Sequence, residues 1–313
     1  MKQTLINIVN FFSDIKYQVG FFVSEIDDVL SKKTLSPKVI WIKTNGYKNG
    51  WFADPFLLRK DDKGIKLLVE EYVYENKKGR ISLLDVHKLG DKYLLHEVIP
   101  IWDIDTHLSF PYIFRDMDVI YLCPENYQSG KVILYEFDEN RRSLIPYNVI
   151  IDKPLVDVQI VKIENFYYAM GVQRINGDMS ETRELQIYRS KTLNEKFELF
   201  QTIKNTLNEE RGAGQIFIDK SRIIRPAQSC EGGYGTCTIF YELSFDSDGI
   251  ITEREICRLY PQQKKHYGLS LHTFNFIDNL CVVDGHDNKN LYWVSRYISP
   301  VLDRIWKSSK NHS

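Results

Sequence analysis

Five times along the chain an apolar strand pattern breaks at a tight turn and resumes at once. This recurrence limits the possible folds more than any bulk property. The units begin near Pro55, Pro111, Val158, Ile216 and Thr273, a period of roughly 45 to 60 residues that suits a repeat architecture. In the first unit residues 55–59, 65–72 and 81–86 read as strands, divided by Asp61-Asp62-Lys63-Gly64 and Lys77-Lys78-Gly79. Later units turn at Asp116-Met117-Asp118, Glu164-Asn165, Asp219-Lys220-Ser221 and Ile277-Asp278-Asn279. With about four short strands per unit, the pattern predicts an all-β, five-bladed β-propeller, closing on residues 290–294. A pair of β-sandwiches or a right-handed β-helix would repeat in a similar way. Radial closure leaves few exposed strand edges, which suits a chain with no evident disulfide framework. No helical pattern long enough to join parallel strands lies between the units, so a doubly wound α/β fold is not expected.

One propeller domain is expected over residues 1–313, with a helical extension over about residues 1–35 and a C-terminal helix over about 298–310. Leu5, Ile8, Val9, Phe12, Ile15, Val19 and Phe22 fall at helical spacing. The late helix would carry Pro300 in its first turn. The 41 basic and 42 acidic residues leave a net charge of -1, which gives no general electrostatic grip on nucleic acid. The 19 tyrosines and 17 phenylalanines suit strands and also a wall on which sugars stack. Cys123, Cys230, Cys237, Cys257 and Cys281 form no close pair, so reduced thiols in a cytoplasmic protein are expected and a zinc site is not. No apolar span is long enough to cross a membrane, and the N-terminus has no signal-peptide pattern.

A propeller gathers its innermost strands around a channel, so residues at their starts meet although distant in sequence. That geometry would bring together Asp54, His107 with Ser109, Asp157, Arg225 with Gln228, and His272. Asp54 stands where the chain passes from turn to core, with Pro55 fixing the entry and Trp51 and Phe52 beside it. It is the candidate general base; the bland reading is a turn carboxylate bonded to its own backbone. Glu125 is the candidate second carboxylate, and Asp157 a third. Of the adjacent Glu70 and Glu71, which leave a strand on opposite sides, Glu71 is taken as the pocket group. His107, Tyr234, His272 and Asp284 complete the binding set. Arg225 offers a fork suited to phosphate, and Gln228 can bridge hydroxyls. Arg211-Gly212-Ala213-Gly214 is a second flexible turn carrying a cation. No histidine pattern has metal-ligand spacing, so neither metal nor cofactor is expected, a divalent cation in the central channel being the alternative.

The ordered set Phe52-Ala53-Asp54-Pro55-Phe56, His107-Leu108-Ser109-Phe110-Pro111, Pro124-Glu125, Arg225-Pro226-Ala227-Gln228, Tyr234-Gly235 and His272-Thr273 carries a resemblance. Over roughly residues 37–295 the chain resembles the propeller family related to the amino-terminal region of plant glucosamine inositolphosphorylceramide transferase. That family has bacterial relatives near surface-polysaccharide genes, and is similar in fold to five-bladed furanosidase-type glycoside hydrolases. In those hydrolases a first-blade aspartate is base or nucleophile, a third-blade aspartate tunes it, and a later glutamate is the acid. The resemblance implies the first role for Asp54 and the second for Asp157. The fourth unit departs from it, presenting Arg225 and Gln228 instead of an acid. The implied function is glycosyl transfer from a nucleotide sugar, with Asp54 as base and Arg225 balancing phosphate. The alternatives are a non-catalytic carbohydrate-binding propeller and a glycoside hydrolase. Expected partners are a sugar or nucleotide sugar and, peripherally, the inner face of a membrane or a polysaccharide-assembly protein.

Overall fold

The computed structural model describes residues 15–31, 38–62, 64–174, 181–204, 209–231, 234–262 and 266–288. The expected C-terminal helix and the closing strand at 290–294 lie outside them. Five four-stranded antiparallel sheets form the five blades of a β-propeller. The first blade runs outward through β3 (Gly50–Asp61), β4 (Gly64–Val73), β5 (Lys78–Leu89) and β6 (Lys92–Trp102). The second holds β7 (Ser109–Asp116), β8 (Val119–Glu125), β9 (Val132–Asp138) and β10 (Ser143–Ile151). The third holds β11 (Leu155–Ile163), β12 (Phe166–Arg174), β13 (Glu181–Ser190) and β14 (Glu198–Lys204). The fourth holds β15 (Phe217–Asp219), β16 (Arg222–Ser229), β17 (Cys237–Phe245) and β18 (Ile251–Leu259).

The fifth blade closes the ring with both ends of the described chain. Its inner strands are β19 (Phe274–Ile277) and β20 (Leu280–Asn288); its outer strands are β1 (Ile15–Val23) and β2 (Ile40–Trp41). The helix expected over residues 15–23 is therefore a strand, paired with β20 from Ile15↔Asn288 to Val23↔Leu280. Val19, Phe21 and Phe22 are all buried because neighbouring elements cover both faces of β1. Such a strand shows no period-2 pattern, so helical spacing mimicked it. A Cβ on Gly20 would meet Val39 and Trp41 at 2.4 and 2.6 Å, so the outer pairing needs glycine there. Only a short helix, α1 (Ile26–Ser31), follows.

Burial declines from the axis outward. In β3 every residue from Phe52 to Leu58 is buried, whereas the outermost β14 is largely exposed or half-buried. The inner hairpins turn at the predicted places, with Met117, Glu164, Lys220, Ser221 and Asp278 at φ between 47° and 71°. Positive φ lets these tight loops match the twist of their strands. Aromatic layers fill the spaces between blades, as where Phe56 meets Phe110 edge-on at 5.0 Å. Tyr112 ties three blades together: its hydroxyl donates to the Ile160 carbonyl at 2.8 Å and accepts from the Ile216 N–H at 3.2 Å.

Candidate active site

One backbone device recurs at the mouths of three blades. Between Ala53↔Glu70 and Phe56↔Leu68, β3 contains one more residue than β4. The same surplus separates Ser109↔Glu125 from Tyr112↔Cys123, and Val156↔Val172 from Gln159↔Met170. Each bulge holds a left-handed residue: Asp54 at φ 48°, Phe110 at φ 42° and Asp157 at φ 47°. A bulge re-aims the side chain it carries, and here it draws Asp54 and Asp157 into one polar cluster. The pairing also gives Glu70 and Glu125 equivalent places on the second strands of their blades.

Asp54 joins three blades. Its Oδ2 accepts the Phe110 N–H at 3.0 Å, and its Oδ1 accepts the Thr273 hydroxyl at 2.8 Å. Its own N–H donates to Asp284 Oδ2 at 2.9 Å. His272 stands between the two acids, with Nδ1 2.7 Å from Asp284 Oδ1 and Nε2 3.7 Å from Asp54 Oδ1. Asp284 also accepts the Thr273 N–H at 3.0 Å. Burial lifts the Asp54 carboxyl to about 6 despite the neighbouring His272, with Asp284 and Asp157 adding to the rise. Burial alone would lower His272, but Asp284 and Asp54 carry it up to about 9. The donor atoms of Asp54, His272 and Asp284 lie within 4.8 Å of one another. A charged His272 is hydrogen-bonded to Asp284 and ion-paired with Asp54, and a metal would have to displace its protons.

The Glu70–Glu71 choice reverses. Glu71 points away from Asp54 and is fully buried among Tyr47, Ser82 and Arg80, the last bonded at 2.9 and 3.0 Å. Glu70, the adjacent residue, takes the opposite face and looks toward the cluster. Burial and then the charges of Asp54 and Glu125 push its carboxyl well above the ordinary range. His107 Nδ1 accepts the Gly79 N–H at 2.9 Å, which leaves Nε2 as the donor, 3.4 Å from Glu70. Burial and Arg174 together hold the His107 pKa down, so both members of this pair are shifted toward their neutral forms.

The opposite flank is built on Arg211. Its Nε donates to Asp157 Oδ2 at 2.6 Å and its Nη2 lies 3.6 Å from Glu125. Gln228 Nε2 reaches the same Asp157 oxygen at 2.7 Å. Burial and then the Asp157 charge raise Glu125 well above its usual value. Ser109 lies opposite Glu125 in the ladder. Arg225 does not reach this centre. It is three residues from Gln228 on β16, so it leaves by the other face. There it is fully buried and bonded to Glu253 at 2.5 Å, with Gln159 and the Glu210 carbonyl at 3.2 Å. The cation bonded to the acids there is Arg211, with the charge of Arg174 also felt by Glu125.

Aromatic rings wall the cluster. Tyr17 stacks on His272 at 4.9 Å and contacts Trp51 at 5.1 Å; Trp51 stacks on Tyr72 at 4.7 Å. Tyr234, 46 % exposed, meets His272 edge-on and lies under the Arg211 guanidinium at 5.1 Å. Trp51 and Tyr234 thus stand where they were expected. Tyr17 escaped because its segment was read as a helix.

If Asp54 acts as a base, its ionisation predicts a bell-shaped activity profile that rises with pH through about 6. It falls through about 9 as His272 loses its charge. A raised histidine stabilises the fold fully below its ordinary 6.5 and loses that contribution as pH climbs through about 9. Melting temperature should therefore decline between these values, and His272→Gln should flatten the decline in a series of thermal melts.

Comparison with known proteins adds the family. Glucosamine inositolphosphorylceramide transferase 1 of Oryza sativa subsp. japonica is 26% identical over 205 residues, covering 63% of this chain and 27% of the relative. The Arabidopsis thaliana protein of that name is 28% identical over 200 residues, covering 61% and 25%. The chain thus spans about a quarter of the length of these curated relatives. Among solved structures, the exo-β-1,3-galactanase of Phanerochaete chrysosporium with galactose has a TM-score of 0.53 at 12% identity, covering 68% of this chain and 52% of the enzyme. The Clostridium thermocellum exo-β-1,3-galactanase gives 0.51 at 11%, covering 66% and 49%. At such identities the likeness shows the fold alone. The profile of the family described as glucosamine inositolphosphorylceramide transferase 1, N-terminal, matches residues 38–269, about three quarters of the sequence, and this chain belongs to that family.

Proposed function

We propose that this propeller transfers a glycosyl group from a nucleotide-activated sugar to a hydroxyl acceptor in cell-surface glycoconjugate synthesis. The observation that carries the reading is the pairing of an ionisable Asp54 with Glu70 and Glu125, whose carboxyls burial raises well above their usual range, inside one aromatic-walled cluster. A carboxylate with a pKa of about 6 is largely ionised at neutral pH and still basic enough to take a proton. Asp54 would accept the acceptor hydroxyl's proton as its oxygen bonds to the anomeric carbon. The anomeric carbon–phosphate bond breaks as that bond forms, and Arg211 balances the departing phosphate. Trp51, Tyr17 and Tyr234 offer apolar faces for the sugar rings. The names of the longer relatives support transfer. The same reading sets the enzyme in peripheral contact with the membrane that bears its acceptor, or with a polysaccharide-assembly protein.

Calorimetry against a panel of nucleotide sugars tests the donor, and Arg211→Gln should weaken binding of the productive one at least about tenfold by removing a charge-assisted contact. Binding that ignores Arg211 and follows free glycans instead would overturn the nucleotide-sugar reading. Hydrolysis is the second reading, favoured by the coexistence of one base with carboxyls of raised pKa. Release of free sugar with no glycosylated acceptor would decide for it.

A further inference from the structure

A second cluster of metal-binding side chains lies on the outer half of the first blade, away from the Asp54 centre. Asp85 and His87 are two residues apart on β5 and share a face. The third member comes from an irregularity in β6. Val86 pairs with Leu95 but Asp85 pairs with Glu97, which leaves His96 as the surplus residue. Leu95 and Val98 both pack into the same apolar layer. His96 and Glu97 between them therefore both turn to the other face, and His96 comes to rest on His87. The two rings stack at 4.5 Å with 13° between their planes.

We propose that Asp85, His87 and His96 bind one divalent transition-metal ion of the zinc class. Their donor atoms lie within 4.8 Å of one another, and His87 Nε2 is 3.5 Å from Asp85 Oδ1. Lys66 holds Asp85 Oδ2 at 2.7 Å, while Oδ1 is buried with no hydrogen-bond partner among the described residues. An oriented, unbonded carboxylate oxygen beside two imidazoles is an N,N,O donor set, which suits zinc better than calcium or magnesium. His87 is 46% exposed and can adjust; small side-chain rotations bring the donors to the roughly 3.3 Å separation that tetrahedral Zn²⁺ needs. The i, i+2 pair plus a cross-strand ligand fixes three positions and leaves a fourth for water. The bound ion would pin β6, the outermost strand of its blade, to β5.

Zn²⁺ titration of the metal-stripped full chain by calorimetry, with Co²⁺ absorption as a second probe, tests the site. One ion per chain is expected, together with a tetrahedral Co²⁺ spectrum and a higher melting temperature when zinc is present. His96→Ala should weaken binding at least about tenfold, since even indirect ligand contacts carry that much, and should remove the thermal shift. Where that variant does not fold, His96→Gln keeps the bulk without the imidazole. Absence of saturable binding overturns the site, as does zinc affinity unchanged in both His87→Ala and His96→Ala. Binding lost only in His272→Gln would move the ion to the central trio and equally overturn it.

Discussion

Asp54→Asn should lower turnover by about 10²- to 10⁴-fold, the range expected when a positioned general base is removed, while donor affinity changes by only a few-fold. The substitution suits the backbone, because asparagine tolerates the left-handed conformation that Asp54 adopts at φ 48°. Its amide oxygen can keep one of the two bonds now received from Phe110 and Thr273. What disappears is the charge, and with it part of the field that raises His272. The high-pH limb of the activity profile should therefore move down, a change that damage to the fold alone would not cause. Single-turnover assays with calorimetry separate the effects. An unchanged rate would end the base role; loss of affinity matching loss of rate would make Asp54 a positioning residue.

Arg225→Ala should destabilise the protein by about 3–5 kcal/mol, because removing one partner of a buried ion pair leaves the other charge uncompensated. Glu253 would lose its 2.5 Å contact with Arg225, and Gln159 would lose a bond at 3.2 Å. Pairing Arg225→Met with Glu253→Gln should restore much of the loss, since no uncompensated charge then stays buried. Urea unfolding of the three proteins measures this. A phosphate contact would behave in the opposite way, with affinity falling and stability unchanged. That outcome would return Arg225 to the site in place of Arg211.

The contrast between the two arginines marks where sequence reading ended. Both stand beside glycine, proline or glutamine in loop-flanking segments, and both have the same chemistry. Which one faces the axis depends on the phase of a strand and on partners distant in sequence, such as Gln159, 66 residues from Arg225. Glu70 and Glu71 pose the same problem at closer range. Alternation says that they part, but the bulge at Asp54 and the Arg80 fork decide which is structural. The helix assigned to residues 15–23 failed for a different reason: burial on both faces erased the strand signature.

By itself the sequence determined most of the inner strands, the tight turns and the number of blades, and it singled out Asp54, Asp157, His272, Asp284 and Trp51. These follow from local forces, because turn residues accept positive φ and apolar runs must be buried. Only the tertiary structure decided how the ring closes, which glutamate and which arginine reach the centre, and which carboxyls are shifted toward their protonated form. Those outcomes depend on burial and charge summed over several blades, and the blades meet only after the chain has folded.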